Sequence, residues 1–326
     1  MTNIRVAVLR GGPSEEYEVS MRSGASVLEA LADSSSNFHA IDIIISRKGE
    51  WLVGGYVKDP AVALSDIDVV FNALHGAYGE DGTVQRILDR LGIPYTGSGA
   101  YASGLAMNKV VTKDHLKNTD IKMAPHMKLT RNGVANTDKT AYSIAELFGP
   151  HYVIKPVSGG SSLKMRFANT TGELARALEE VFMECDEVIV EQRVSGKEVT
   201  VGLVEKYRGQ EIYELPEIEI VPPAADGYFN ATNKYDGTTD EICPGRFSKE
   251  EKKLMAEIAK TAHQTLGLRH YSRTDMILAD DGIYFLEINT LPGLTKQSLL
   301  PKSIEAVGGS YKDFVEHLLN IALNKY

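Results

Sequence analysis

The chain has 326 residues, 43% hydrophobic and 24% charged, an ordinary globular balance long enough for two or three compact units. Its net charge of −9 argues against a nucleic-acid binder, whose footprint is a basic patch. No stretch approaches the roughly 18 apolar residues of a membrane span, and Cys185 and Cys243 lie far apart without metal-binding spacing, as in a reduced cytosolic protein.

MTNIRVAVLRGG runs straight into a strand and lacks the long apolar run of a signal peptide, so the expected location is cytoplasmic. Ile4 to Leu9 reads as a buried strand, Ser20 to Leu31 as a helix, Ile41 to Ile45 and Val69 to Leu74 as further strands. Thr83 to Leu91 is a helix closed by Gly92, and Ile93 to Thr96 a short strand. This βαβ alternation predicts a doubly wound parallel sheet with ligands at the carboxyl ends of its strands. Two glycine-rich, charged loops lie there, GGPSEE at 11–16 and HGAYGEDG at 75–82.

From Ser103, a helix is expected through Lys117. Beyond Met123 the pattern becomes α+β, with strands at Tyr152 to Lys155, Val188 to Glu191 and Val199 to Val204, and a helix from Thr171 to Phe182. Residues 221–247 are polar and rich in proline and glycine, and read as a long functional loop. A helix follows from Glu250 to Leu266. In the last helix, capped by Ser310, Phe314, Leu318, Ile321 and Ala322 form one apolar stripe, a core face.

Four clusters can carry chemistry. His75 beside Glu80 and Asp81 is either an oriented acid or base or a merely hydrogen-bonded loop histidine. The loop Lys155 to Ser162 offers small residues and a charge to phosphate oxygens, or is a flexible turn; it is not a Walker A loop. Glu191 and Glu198 flank a turn and either hold an adenine amino group and a ribose diol or form a charged hairpin. The hairpin RTDMILADDGIYFLEIN turns at Asp280-Asp281-Gly282. Strand alternation puts Glu287 and Asn289 on one side and Arg273 beside Asp275. Asp275, Glu287 and Asn289 suit Mg²⁺ on a nucleotide triphosphate, with a solvated acidic face as the alternative. Arg273 suits a transferring phosphoryl group or an oxyanion, with a salt bridge as the alternative.

Taken in order, GGPSEEYEVS, HGAYGEDGTVQ, MNKVVTK, IKPVSGGSS, EQRVSGKEVTVG, NKYDG, CPGRF, SRTDM and LEINTLPGLTKQSLLP span nearly the whole chain. This ordered set resembles the D-alanine–D-alanine ligases of the ATP-grasp superfamily. The resemblance implies an α/β ATP-grasp fold in which two α+β domains clasp the nucleotide: an N-terminal substrate domain at 1–98, a central subdomain at 99–190 and a C-terminal domain at 191–326. It implies an ATP-dependent ligase making D-alanyl-D-alanine through an acyl phosphate, for peptidoglycan precursor synthesis. Relatives that use D-lactate or D-serine as second substrate, and a non-catalytic nucleotide-binding relative, are the alternatives; Tyr235 speaks against the lactate type.

By the same resemblance, Glu16 grips the first substrate's ammonium, with Ser161 and Tyr235 as hydrogen-bonding partners. Lys109, Lys155 and Lys234 match phosphate-binding lysines; Glu191, Val194 and Glu198 complete the nucleotide site. Asp275, Glu287 and Asn289 match ligands to two Mg²⁺ or Mn²⁺ ions. Arg273 and the Gly293 N–H form the oxyanion site, Ser298 and Leu299 meet the second substrate's carboxylate, and His75 stands near the attacking amine. The implied partners are ATP, D-alanine and a second copy of the chain in a homodimer, with no nucleic acid and no membrane. The segment 233–240 is expected to act as a lid. Three segments depart from the family pattern: Lys164 where a glycine is usual, Asn108 for aspartate, and Gly245-Arg246-Phe247 for Ala-x-Leu.

Overall fold

The computed structural model describes residues 4–32, 37–159, 164–223 and 239–324. Its first part runs β1 (Ile4–Gly11), α1 (Tyr17–Leu31), β2 (Phe38–Ile45), β3 (Trp51–Val53), β4 (Tyr56–Lys58), α2 (Pro60–Ala63), β5 (Val69–Asn72) and α3 (Thr83–Leu91). β1 is an inner strand of the sheet, between β2 and β5 and parallel to both. It is buried on both faces, so its apolar residues are consecutive: Val6 and Val8 join one core, Ala7 and Leu9 another. Gly92 ends α3 with φ +66°, as expected of a left-handed cap.

Two local expectations change here. Ile93 to Thr96 forms no strand; Tyr95 makes a single parallel bridge to Val70. The sheet also gains an antiparallel edge, β3 and β4, too short to show a period in sequence.

The single helix expected from Ser103 to Lys117 is instead two, α4 (Ala100–Met107) and α5 (Lys109–Leu116). Asn108 is extended between them, and its side chain accepts the Val111 N–H at 3.0 Å, which starts α5 afresh. Ser103 caps nothing: it is buried and its hydroxyl donates to the Ser98 carbonyl at 3.2 Å.

Next come β6 (Lys122–Met123), β7 (His126–Thr130), α6 (Thr137–Leu147), β8 (Tyr152–Pro156), β9 (Arg166–Ala168), α7 (Thr171–Glu184) and β10 (Glu187–Gln192). Four of these strands form an antiparallel sheet in the order β7-β10-β8-β9. Ile144 of α6 and Leu178 and Val181 of α7 cover it, against Ile154 and Val190.

The third part holds β11 (Lys197–Glu205), β12 (Ile212–Glu214), β13 (Ile218–Val221), β14 (Asp240–Ile242), α8 (Lys249–Thr265), β15 (Tyr271–Ala279), β16 (Gly282–Asn289), α9 (Leu299–Ala306) and α10 (Tyr311–Ala322). Its sheet runs β14-β13-β11-β15-β16-β6, with β12 beside β11. The loop expected at 221–247 therefore contains a strand, β14. Residues 224–238, with Lys234, Tyr235 and most of the expected lid, lie outside the described residues, as does Ser161. Ser248 and Glu251 form a reciprocal capping box on α8. The apolar stripe of α10 is core: Phe314 and Leu318 pack with Val6, Val8 and Phe71, returning the end of the chain to the first sheet.

A histidine ties the first sheet to the third. His270 Nδ1 accepts the Gly97 N–H at 3.1 Å, which requires a neutral ring, while the His270 backbone N–H donates to Glu205 Oε2 at 2.6 Å. Burial, then the Arg269 charge, push its pKa down to about 4 from 6.5. A histidine neutral in the folded state and free to protonate when unfolded contributes stability that is intact above pH 6.5. That stability is lost as pH falls from 6.5 to about 4, on the order of 3 kcal/mol in all. Urea unfolding of wild type and His270→Asn across that range should show a steeper acid loss in wild type; parallel curves would refute the assignment.

Candidate active site

Strand register turns the acidic hairpin into a site. β15 and β16 pair antiparallel around the turn at Asp280-Asp281, which sets Asp275 opposite Glu287 and Arg273 opposite Asn289. Arg273, buried, forks onto Asp275 with Nε to Oδ1 at 2.9 Å and Nη2 to Oδ2 at 2.8 Å. Asn289 Nδ2 donates to Asp275 Oδ2 at 2.9 Å, and the buried Thr200 hydroxyl of β11 donates to Oδ1 at 2.6 Å. Three adjacent strands thus fix one carboxylate. Burial opposes the Arg273 charge, but Asp275 and then Glu287 and Glu80 hold its pKa above the ordinary arginine value.

Lysines face this cluster. Lys109, the first residue of α5, pairs with Glu287 at 3.3 Å and donates to the Gly159 carbonyl at 2.6 Å. Glu191 of β10, 3% exposed, lies between two ammonium groups, Lys155 at 2.7 Å and Lys113 at 2.9 Å. Burial alone would raise the Glu191 pKa; the two lysines override it and hold the carboxyl at about 2. Lys113 itself is pushed below the usual lysine value by burial. Lys113 and Thr200 were not singled out from the sequence. The signal for Lys113 was its position one helical turn after Lys109, on the same face of α5.

One cavity of about 750 Å³ collects these groups. Lys109, Lys155, Glu191, Val194 and Glu198 line it, together with Arg273, Asp275, Glu287 and Leu299. Glu16 and Gly76 enter from the loops at the carboxyl ends of β1 and β5, where a parallel sheet presents its ligands. A Cβ on Gly76 would fall 2.7 Å from Glu16 Oε2, so the Glu16 carboxylate rests on that backbone.

Four proposed residues stand behind the wall. Asn289 acts on Asp275 as described. His75 is buried, with Nε2 2.8 Å from Ser23 Oγ and Nδ1 2.9 Å from the Leu291 carbonyl, so Nδ1 carries the proton. Ser298 starts α9 and bonds to Thr295, and Gly293 lies against it: a Cβ there would sit 2.8 Å from Ser298 Oγ. Near Glu16, Glu80 accepts three hydrogen bonds, and burial followed by the Glu16 charge push its pKa up to about 7.

A family model described as D-ala D-ala ligase C-terminus matches residues 115–320, and its N-terminal counterpart matches 5–61 and 56–98. The chain belongs to the D-alanine–D-alanine ligase family. A D-alanine–D-alanine ligase of Geobacter sulfurreducens is 38% identical over 320 residues, covering 97% of this chain and 93% of the relative. The crystal structure of D-alanyl-alanine synthetase A from Vibrio cholerae matches with a TM-score of 0.86 at 27% identity, over 100% of both chains. The Bacillus anthracis D-alanine–D-alanine ligase complexed with ATP matches with a TM-score of 0.80 at 31% identity, over 99% of this chain and 98% of that one. The three-sheet architecture is accordingly the ATP-grasp fold of these ligases.

Within the D-alanine–D-alanine ligase frame, each departure from the family pattern has a local reason. Asn108 keeps the helix-capping oxygen that aspartate would supply, since asparagine caps as well as aspartate. Gly245 is required by its neighbour: a Cβ would fall 2.5 Å from the Phe247 ring. Arg246 forks onto Glu219 at 2.8 and 3.0 Å, which fixes the start of this turn to β13. Lys164 reaches over the cavity to Glu15 at 2.9 Å, linking the glycine loop to the residue beside Glu16.

Proposed function

We propose that this cavity performs the ATP-dependent joining of two D-alanine molecules into D-alanyl-D-alanine, for peptidoglycan precursor synthesis, with its side chains in defined roles. The observation that carries the reading is the convergence of Glu16, Arg273, Lys109, Lys155 and the Asp275–Glu287 pair on one cavity. Lys155 and Lys109 neutralise the triphosphate, while Glu191, Val194 and Glu198 receive adenine and ribose; Lys234 joins the phosphate contacts. Glu16, with Ser161 and Tyr235, holds the first ammonium, and Arg273 with the Gly293 N–H holds the reacting carboxylate and its later oxyanion. A carboxylate oxygen attacks the terminal phosphorus, the bond to the leaving phosphate oxygen breaks, and ADP departs. The second amine, having lost a proton to water, attacks the acyl carbon; the bond to phosphate breaks, inorganic phosphate leaves, and the new amide nitrogen gives up its second proton. Ser298 and Leu299 position the second carboxylate, and His75 acts on the amine through the segment it holds.

Asp275, Glu287 and Asn289 fit a divalent cation, because two hard carboxylates and an amide are held on adjacent strands; Arg273 and Lys109, which pair with these carboxylates, would share them with the ion. Two Mg²⁺ or Mn²⁺ ions bound there would supply Lewis-acid charge to the phosphates. The proposed units remain 1–98, 99–190 and 191–326, in a cytoplasmic homodimer; no described helix is long and apolar enough to cross a membrane. A coupled ADP-release assay with D-alanine, ATP and Mg²⁺ tests the reading. ADP release independent of D-alanine would sink it, and product masses with D-serine or D-lactate competing identify the second substrate.

A further inference from the structure

We propose that Glu80 is a positioning residue for the ligation, a clip that joins the loop beneath Glu16 to the segment Thr290–Leu291 beyond the acidic strand. The inference rests on the ligase reading of Glu16 and Arg273. Glu80 lies in the loop after β5 and uses both carboxylate oxygens. Oε1 accepts the Gly76 N–H at 2.9 Å; Oε2 accepts the Leu291 N–H at 3.1 Å and the Thr290 hydroxyl at 3.3 Å. The donors come from two segments more than two hundred residues apart in sequence. A second stitch runs beside it, from Ser23 through His75 to the Leu291 carbonyl, and the Leu294 N–H donates to the same Ser23 hydroxyl at 3.4 Å.

Each end of the clip holds backbone next to a group that supports a cavity side chain. On one side, Glu80 fixes the Gly76 backbone on which the Glu16 carboxylate rests. On the other, it fixes Thr290, the neighbour of Asn289, which pairs opposite Arg273 in the sheet and donates to Asp275. Glu16 and Arg273 are assigned to the two ends of one small amino acid, whose ammonium and carboxylate have an almost fixed separation. A pocket for so short a ligand cannot absorb drift between its two anchors, and a misplacement of about 1 Å is enough to lower rate by about a hundredfold. Glu80 removes that drift without reaching the reacting atoms.

The test uses the full-length protein with Glu80→Gln and the milder Thr290→Val. Glutamine keeps one acceptor oxygen but turns an N–H₂ toward an N–H donor, so one side of the clip opens. The expected result is a KM for the first D-alanine raised about tenfold in Glu80→Gln and less in Thr290→Val, with the KM for ATP within about twofold of wild type. Amide exchange should rise together in peptides covering 74–82 and 289–296. A D-alanine KM within twofold in both variants, an equal rise for ATP, or exchange rising in one segment alone would overturn the clip. Should Glu80→Gln not fold, Thr290→Val decides by the same two readouts. If wild type itself shows no D-alanine-dependent ADP release, the ligase reading fails, while the exchange measurement still decides whether Glu80 couples the two segments.

Discussion

Replacing Glu191 by glutamine is expected to lower folding stability by about 3–5 kcal/mol. The reason is the charge arrangement around β10. Glu191 is 3% exposed and lies within 3 Å of two ammonium groups, Lys155 and Lys113, the latter almost fully buried itself. Glutamine keeps the volume but leaves two buried cations facing each other with no counter-charge. Lys113, whose pKa burial already lowers, would give up its proton first. Urea unfolding at neutral pH measures the loss. Adding Lys113→Met to Glu191→Gln removes one of the stranded charges and should recover a substantial part of it, so the double-mutant cycle will be strongly non-additive. A loss under about 1 kcal/mol for Glu191→Gln alone would show the three charges to be solvated rather than interlocked.

That trio marks where the sequence stops being legible. Period and punctuation located the elements well: the buried run Ile4 to Leu9, the Gly92 cap, the turn before Gly282 and the core stripe of α10 all stand where pattern placed them. Alternation along a strand also put Arg273 beside Asp275, and the fork between them is the contact it implied. What alternation cannot give is register between strands, and register is what sets Asp275 opposite Glu287. Contacts between distant segments were hidden for the same reason. Lys113 of α5 meets Glu191 of β10, and the Glu80 loop meets Leu291, only because segments distant in the chain close on one another. The break at Asn108 was missed because the apolar pattern continues through it, and a capping side chain decided the matter locally. The motif order pointed to the family, but most site roles came from resemblance rather than from any feature of spacing.

Replacing Arg273 by methionine is expected to lower kcat for dipeptide formation by about a hundredfold to a thousandfold, the range for removing one oxyanion-stabilising donor. The guanidinium lines the cavity, is 8% exposed, and stands among the carboxylates Asp275, Glu287 and Glu80, which keep it charged. On the proposed reading, a permanent cation at that place meets a reacting carboxylate and a triphosphate, both anionic, in a site where water screens little. Without it the same carboxylates repel the incoming phosphates. Asp275 keeps its hydrogen bonds from Asn289 and Thr200, so the strand geometry has two remaining supports and the variant should fold. Arg273→Lys separates charge from shape: it restores the cation but not the planar fork, and should fall between wild type and methionine. Rates of ADP release at saturating D-alanine and ATP, with thermal melts to confirm folding, supply the comparison. A methionine variant that folds and retains kcat within tenfold would remove Arg273 from the transition state and leave it as a structural partner of Asp275.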